Sequence, residues 1–311
     1  MPNSSKTEPY QIVQHAADSH LADFVDPFVR SVEALRRRVT LDTIEASVVR
    51  GELSWELAQA IDRIVVAKAA DPSDLAQKVY ARIMVASVTD MAEYVESKWG
   101  MPGASLIGRF NITSPQVLRA AKELAANLIR GVGFETKMAV RRIIFNSIRD
   151  GLAPRDAAKL INQTLGLTTR QALAVDRLQA GLVGQGVGAQ QVDRQVKAYS
   201  ERLLKDRAVN VARTETMLAS NRGQQLLWQD MSNAGVIPQD FQQRWLVTPD
   251  DRLCSRCAPM NGKAVQLGYL FRETERGVLP SRREPVAGAT VLSPPLHPRC
   301  RCTLVFDDDL A

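Results

Sequence analysis

Apolar residues recur three and four positions apart along most of the first 150 residues, as in "FVRSVEALRRRVTLDTIEASVV". That spacing predicts helices that bury one face. Thr40 or Asp42 is placed to cap a helix within this stretch. "ADPSDLAQKVYARIMVASVTDMAEYVESKWG" predicts another helix, entered through Asp71-Pro72-Ser73 and stopped at Gly100, ahead of Pro102 and Gly103. "SPQVLRAAKELAANLIRGVG" repeats the grammar, with Ser114 as N-cap, Pro115 at the first helical position and glycines placed to end the last turn. "RDGLAPRDAAKLINQTLGLTTRQALAVDRLQAGLVGQGVG" predicts two shorter helices leading into a glycine-rich joint at Gly184, Gly186 and Gly188. The domain boundary is expected there, between a helical region 1–188 and a smaller domain 189–311.

Beyond the joint the pattern predicts one long helix, from Ala189 to a stop near Gly235. Texture then changes. Phe241 to Val247 reads as a short strand followed by a turn at Pro249-Asp250-Asp251, and "GKAVQLGYLF" offers a second short strand. "RETERGVLPSRREPVAGATVLS" reads as an exposed loop, and "RCTLVF" as the closing strand. Alternation along that strand puts Cys300, Cys302, Leu304 and Phe306 on one face. The expected fold class is therefore α+β: a mainly α-helical N-terminal region, then a small C-terminal α+β domain with a long helix, short strands and a Cys/His-rich loop. No period of 20 to 50 residues suggests a solenoid.

Composition narrows the class only a little. The 311 residues are 45% hydrophobic and 24% charged, which excludes disorder and fibrous repeats, and the 5% of aromatics favours helices packed through Ala, Leu and Val. The opening "MPNSSKTEPYQ" lacks the apolar stretch of a signal peptide, and no apolar run approaches the roughly 20 residues of a membrane span. A chain made in the cytoplasm is expected. The net charge of +6 suits a polyanionic partner but is small beside the 74 charged residues.

Four cysteines are too few for a disulfide scaffold in a chain of this length. Their placement is informative. Cys254-x-x-Cys257 forms a knuckle whose two thiolates can face one ion, and His297-x-x-Cys300 supplies a second pair at similar spacing, together a tetrahedral Cys3His zinc site. Cys302 is a fifth candidate that either replaces Cys300 or packs in the core. Pro294, Pro295 and Pro298 stiffen the second pair and reduce the entropy lost when the ligands converge. Disulfides, buried thiols and a redox Cys-x-x-Cys are the competing readings, although no βα context of the thioredoxin kind accompanies the pair. A structural ion fits better than a catalytic one, since no general base lies beside the pattern.

Between Arg194 and Arg222 the long helix carries seven basic residues (Arg194, Lys197, Arg202, Lys205, Arg207, Arg213, Arg222) against three acids (Glu201, Asp206, Glu215). Such a helix can bind phosphates without sequence preference, or present an ordinary solvated face. Arg282 and Arg283 add a second basic point for DNA. Glu215 lies on the apolar stripe through Leu204, Ala208, Val211 and Leu218, so it needs a partner. An internal bond, for instance to Arg301, is one reading; a catalytic acid is the other.

"RAVNVARTETMLASNRGQQLLW", "RWLVTPDDRLCSRCAPMNGKAV", Phe271 and "PPLHPRCRCTLVF" together resemble the phage head morphogenesis domain named after the F protein of phage Mu. The resemblance covers about Arg207 to Phe306, and "GLTTRQALAV" and "RLLKDRA" are similar to the helical region that precedes it in minor head proteins. The matching positions are Arg213, Thr214, Glu215, Asn221, Trp228, Trp245, Asp251, Cys254, Cys257, Gly262, Lys263, Pro295, His297, Pro298, Cys300, Arg301 and Cys302. The family's usual asparagine before the last cysteine pair is Arg299 here. The resemblance implies a low-copy structural head protein of a tailed phage or prophage, made in the bacterial cytoplasm and placed inside the capsid near the portal. Portal, major capsid or scaffolding proteins are then partners, and packaged double-stranded DNA is a further one. The family's comparison with ADP-ribosyltransferases keeps an enzymatic alternative, with Arg213 and Glu215 in the site.

Overall fold

The computed structural model describes residues 9–62, 72–99, 113–272 and 290–306. Its helices are α1 (Pro9–Ser19), α2 (Leu21–Arg38), α3 (Leu41–Arg50), α4 (Trp55–Asp62), α5 (Pro72–Trp99), α6 (Pro115–Arg149), α7 (Pro154–Thr164), α8 (Thr169–Gly184) and α9 (Ala189–Asn233). The strands are β1 (Gln242–Leu246), β2 (Ala264–Gln266), β3 (Phe271–Arg272), β4 (Thr290–Val291) and β5 (Thr303–Phe306). The class is α+β, as the sequence implies. No helix among the described residues is long and apolar enough to cross a membrane.

The local signals act as expected at several ends. Thr40, not Asp42, caps α3, its hydroxyl accepting from the Thr43 N–H. Pro115 opens α6, Gly184 ends α8 and α9 begins at Ala189, so the glycine joint is a helix break. The predicted end of α6 at its glycines does not occur: the helix runs through Gly131 and Gly133 to Arg149. Each glycine costs a helix about 1 kcal/mol relative to alanine. Burial of Val132, Thr136, Ala139, Val140, Ile143 and Ile144 on one face outweighs that cost. Gly133 also has a spatial reason, since a Cβ there would lie 3.2 Å from the Asp62 carboxylate.

Contacts group the chain into two compact units, each discontinuous in sequence. One takes residues 22–76 and 123–211. Its core joins Phe28, Val32, Leu35, Ile44, Leu57, Ile61, Val140, Ile143, Leu160, Ile161, Val175 and Leu204. Arg207, counted above among the basic residues of the long helix, is buried in this unit. It donates to the Gly166 carbonyl at 2.6 Å and pairs with Glu135 at 2.8 Å. Desolvation lowers its pKa, and the two partners keep the buried charge tolerable.

The other unit takes residues 1–21, 77–122 and 212–311. Within it β1 is the centre of an antiparallel sheet ordered β2-β1-β5, with Trp245 opposite Leu304 and Leu246 opposite Thr303. β3 and β4 form a separate pair, Phe271 opposite Val291. Trp245 and Phe271 meet edge to face at 5.3 Å, and Trp228 and Phe241 at 5.7 Å. These indoles are fully buried, so the two motif tryptophans are core residues. Helix α5 crosses α9 at Gly223, where a Cβ would stand 2.7 Å from the Met84 carbonyl oxygen. Only glycine permits that approach.

Candidate metal centre

Two turns of the same kind face each other. In the first, the Cys257 N–H donates to the Cys254 carbonyl at 3.1 Å, and a short 3-10 turn, Ala258–Met260, follows. In the second, the Cys300 N–H donates to the His297 carbonyl at 3.1 Å. Each turn aims the side chains at its two ends to the same side, which is why an x-x spacing suits a shared ion. The peptide bond between Pro294 and Pro295 is cis.

His297 Nδ1 lies 2.8 Å from the Pro298 carbonyl oxygen. A carbonyl can only accept, so Nδ1 carries the proton and Nε2 offers its lone pair, the tautomer a metal ligand requires. Nε2 is 3.0 Å from Cys254 Sγ and 3.1 Å from Cys257 Sγ, and Cys257 Sγ is 3.6 Å from Cys300 Sγ. A tetrahedron with Zn–S near 2.3 Å and Zn–N near 2.0 Å has sulfur–sulfur edges of about 3.8 Å and sulfur–nitrogen edges of about 3.5 Å. The sulfur edge agrees within a few tenths of an ångström; the nitrogen edges are about half an ångström short. A cavity of about 30 Å³ is lined by all five candidate ligands, room for one ion or water rather than a substrate.

The ligand atoms fall into two overlapping groups, Cys254, Cys257 and His297, and Cys257, Cys300 and Cys302. Cys257 belongs to both. All four cysteines are free thiols. The contact with Cys300, then that with Cys302, pushes the Cys257 thiol up, while the contact with Cys257 pulls Cys300 down. A cation at the centre would favour the thiolate form of both. These clusters can hold a metal ion.

Helix α9 supports the second turn. Thr214, Asn221 and Trp228 are spaced by seven, hence on one face of the helix. The Thr214 hydroxyl accepts from the Arg299 N–H at 3.2 Å. Asn221, fully buried, donates to the Met217 carbonyl at 2.8 Å and the Cys302 carbonyl at 3.4 Å, and its Oδ1 accepts from the Thr303 hydroxyl and the Leu304 N–H, each at 3.0 Å. Gln225 donates to the Gln243 side chain at 2.9 Å and the Leu292 carbonyl at 2.8 Å. Because α9 covers β5, Thr303 is as buried as Cys302 and Leu304, and alternation does not separate core from surface there. The side chain of Phe306 lies outside the described residues.

Glu215 does not meet Arg301. It accepts from the Tyr80 hydroxyl at 2.5 Å. Burial pushes its carboxyl up to about 7, against the opposing effect of the tyrosine bond. Arg301 instead grips Asp250 with both guanidinium nitrogens, Nη2 at 2.5 Å, and holds its carboxyl down at about 2. The carbonyl of Arg301 accepts from Thr248, whose hydroxyl also accepts from Gln14 of α1. Tyr80 and Asp250 are the two partners that sequence reasoning missed; Asp250 stands beside the motif's Asp251, which is exposed. Gly262, at φ +76°, turns the chain into β2; its N–H donates to the Trp245 carbonyl, and Lys263 Nζ reaches the Arg272 carbonyl.

Arg213 is exposed while Glu215 is turned onto Tyr80, as expected for helix residues two apart, so the pair does not line one catalytic site. Arg194, Lys197, Arg202 and Lys205 are exposed. Lys197 and Lys205 line a cleft of about 620 Å³ that also holds Glu33, Asp193 and Glu201, which breaks up any uniform basic track. Arg282 and Arg283 lie outside the described residues.

No curated protein and no solved structure matches the chain. Residues 174–305 match the family described as Phage Mu protein F like protein, a span that begins within α8, includes all of α9 and takes in all five candidate ligands. With its two buried tryptophans, its Thr214–Asn221 face and its paired turns, this segment is similar to the phage Mu F-like head morphogenesis family.

Proposed function

We propose that the chain is a minor structural head protein of a tailed phage or prophage, made in the bacterial cytoplasm and held inside the capsid near the portal. The observation that carries this reading is the family match over residues 174–305. In this reading region 189–311 is the head morphogenesis domain and region 1–188 meets the portal, major capsid or scaffolding protein. One structural zinc ion, held by Cys254, Cys257, His297 and Cys300, ties the C-terminal turns together, with Cys302 packed behind them. Such a tie supplies stability to a segment whose short strands bury little core. Contact of Arg194, Lys197, Arg202 and Lys205 with packaged DNA is a subsidiary role with less support, because acids intervene among them.

Quantitative mass spectrometry of purified virions and empty proheads tests the reading, counting this chain against the portal protein. A few copies per portal in both particles is the expected result. Absence from both would overturn it and return attention to a DNA-binding or enzymatic role.

A further inference from the structure

Helix α6 turns one face into its core, and its opposite face is not the polar surface a solvated helix presents. Phe134, Met138, Phe145 and Ile148 are 62%, 41%, 57% and 54% exposed. With Arg141 they step along the helix by four and three in alternation, the 3.5-residue repeat of a seam that meets a second helix. Single exposed apolar residues are ordinary, but four large ones on one seam are not. The C-cap glycine of α3, Gly51, borders the seam, its Cβ position 3.4 Å from Ile148 Cδ1.

Between residues 130 and 149 of α6, the charges left without an opposite partner among the described residues are arginines. Lys137 is occupied by Asp62, Glu135 by Arg207 and Arg149 by Asp150. Among the described residues Arg130 reaches the Asn127 side-chain oxygen, at 2.6 Å. Arg141 rests on the Met138 sulfur at 4.0 Å, and the Arg142 guanidinium lies 5.7 Å from the Phe145 ring. Among the described residues none of these three arginines has a carboxylate partner.

We propose that this face of α6 docks an amphipathic helix of another protein, whose apolar residues fill the seam and whose acidic residues meet Arg130, Arg141 and Arg142. A second copy fits poorly, because pairing the seam with itself sets arginine against arginine as water is excluded. Duplex DNA would answer the arginines but leave the four apolar side chains wet. The head-protein reading names no surface, and this assignment stands or falls separately from it.

The test uses the full chain and two labelled synthetic helices with leucine seams, one flanked by glutamates and one by lysines, followed by fluorescence anisotropy at about 0.15 M salt. The glutamate helix should bind saturably and at least about tenfold more tightly than the lysine helix. Phe134→Ser with Phe145→Ser should abolish that binding, and Arg141→Glu with Arg142→Glu should invert the preference. All four positions are exposed, so the variants should melt as wild type does. Equal binding of both helices, binding of neither, or binding indifferent to these variants would overturn the proposal. So would a dimer in sedimentation velocity that dissociates in the Phe134→Ser/Phe145→Ser variant, which would make the face a self-contact. Duplex DNA binding that is lost in the Arg141→Glu/Arg142→Glu variant, with no glutamate-helix binding, would overturn it in favour of nucleic acid.

Discussion

Asn221→Ala removes the residue that fastens β5 to α9, and its cost can be worked bond by bond. Trp245 sends its N–H to Lys263 on the β2 side of the sheet, and Leu304, opposite Trp245, sends its own away from the sheet to Asn221 Oδ1. In the variant that buried N–H has no acceptor, a loss of about 1–3 kcal/mol. The Thr303 hydroxyl loses its better acceptor, worth about 1 kcal/mol, and keeps a longer bond to the Leu304 carbonyl at 3.4 Å. The Cys302 carbonyl loses a weak donor. The sum is about 3 kcal/mol. Urea unfolding followed by tryptophan fluorescence suits the measurement, because the buried Trp228 and Trp245 both lie in the affected unit. Thr303→Val is the control, expected to cost about 1 kcal/mol. If Asn221→Ala costs no more than Thr303→Val, the backbone bond carries no weight and the role given to Asn221 is wrong.

Three further outcomes are expected. Purified protein should contain one zinc per chain; Cys254→Ser or chelation should destabilise the C-terminal unit by several kcal/mol, whereas Cys302→Ser should keep the metal, and unchanged melting with no zinc in wild type would remove the metal centre. Glu215 has a folded pKa near 7, above its ordinary 4.5, so its contribution is complete below pH 4.5 and lost as pH rises to 7. Over that window wild type should lose up to about 3 kcal/mol relative to Glu215→Gln, and parallel stability–pH curves for the two proteins would contradict this. Arg299 sits at φ +64°, a left-handed conformation that asparagine adopts at lower cost than arginine. Arg299→Asn should therefore raise stability by up to about 1 kcal/mol in a thermal melt, and a lowered Tm would contradict the strain account.

Much of this was legible in the sequence because it rests on local rules. Thr40, Pro115 and the glycine joint mark helix ends through bonds within a few residues, and the Cys-x-x-Cys and His-x-x-Cys spacings define turns that close on themselves. What failed depended on distant partners. Gly131 and Gly133 look like a stop, but the core that α6 enters decides otherwise. Glu215 plainly needed a partner, yet Tyr80 lies 135 residues away, and nothing local distinguishes it from Arg301. The exposed seam of α6 has helical periodicity like any buried one, so pattern alone could not say which face is covered. The interval of seven joining Thr214, Asn221 and Trp228 was present in the sequence and needed only the geometry of a helix to be read as one face.

That interval acts as a ruler. Thr214 and Asn221 stand about 10 Å apart along the helix axis and hold Arg299 and Leu304 of the C-terminal segment in register. One residue inserted between them would swing one mark about 100° around the helix and off its target. The chain between Cys257 and His297 answers to registers of its own, since β2 pairs with β1 and β3 with β4. Among relatives of this domain, α9 between residues 214 and 228 should keep its length to the residue.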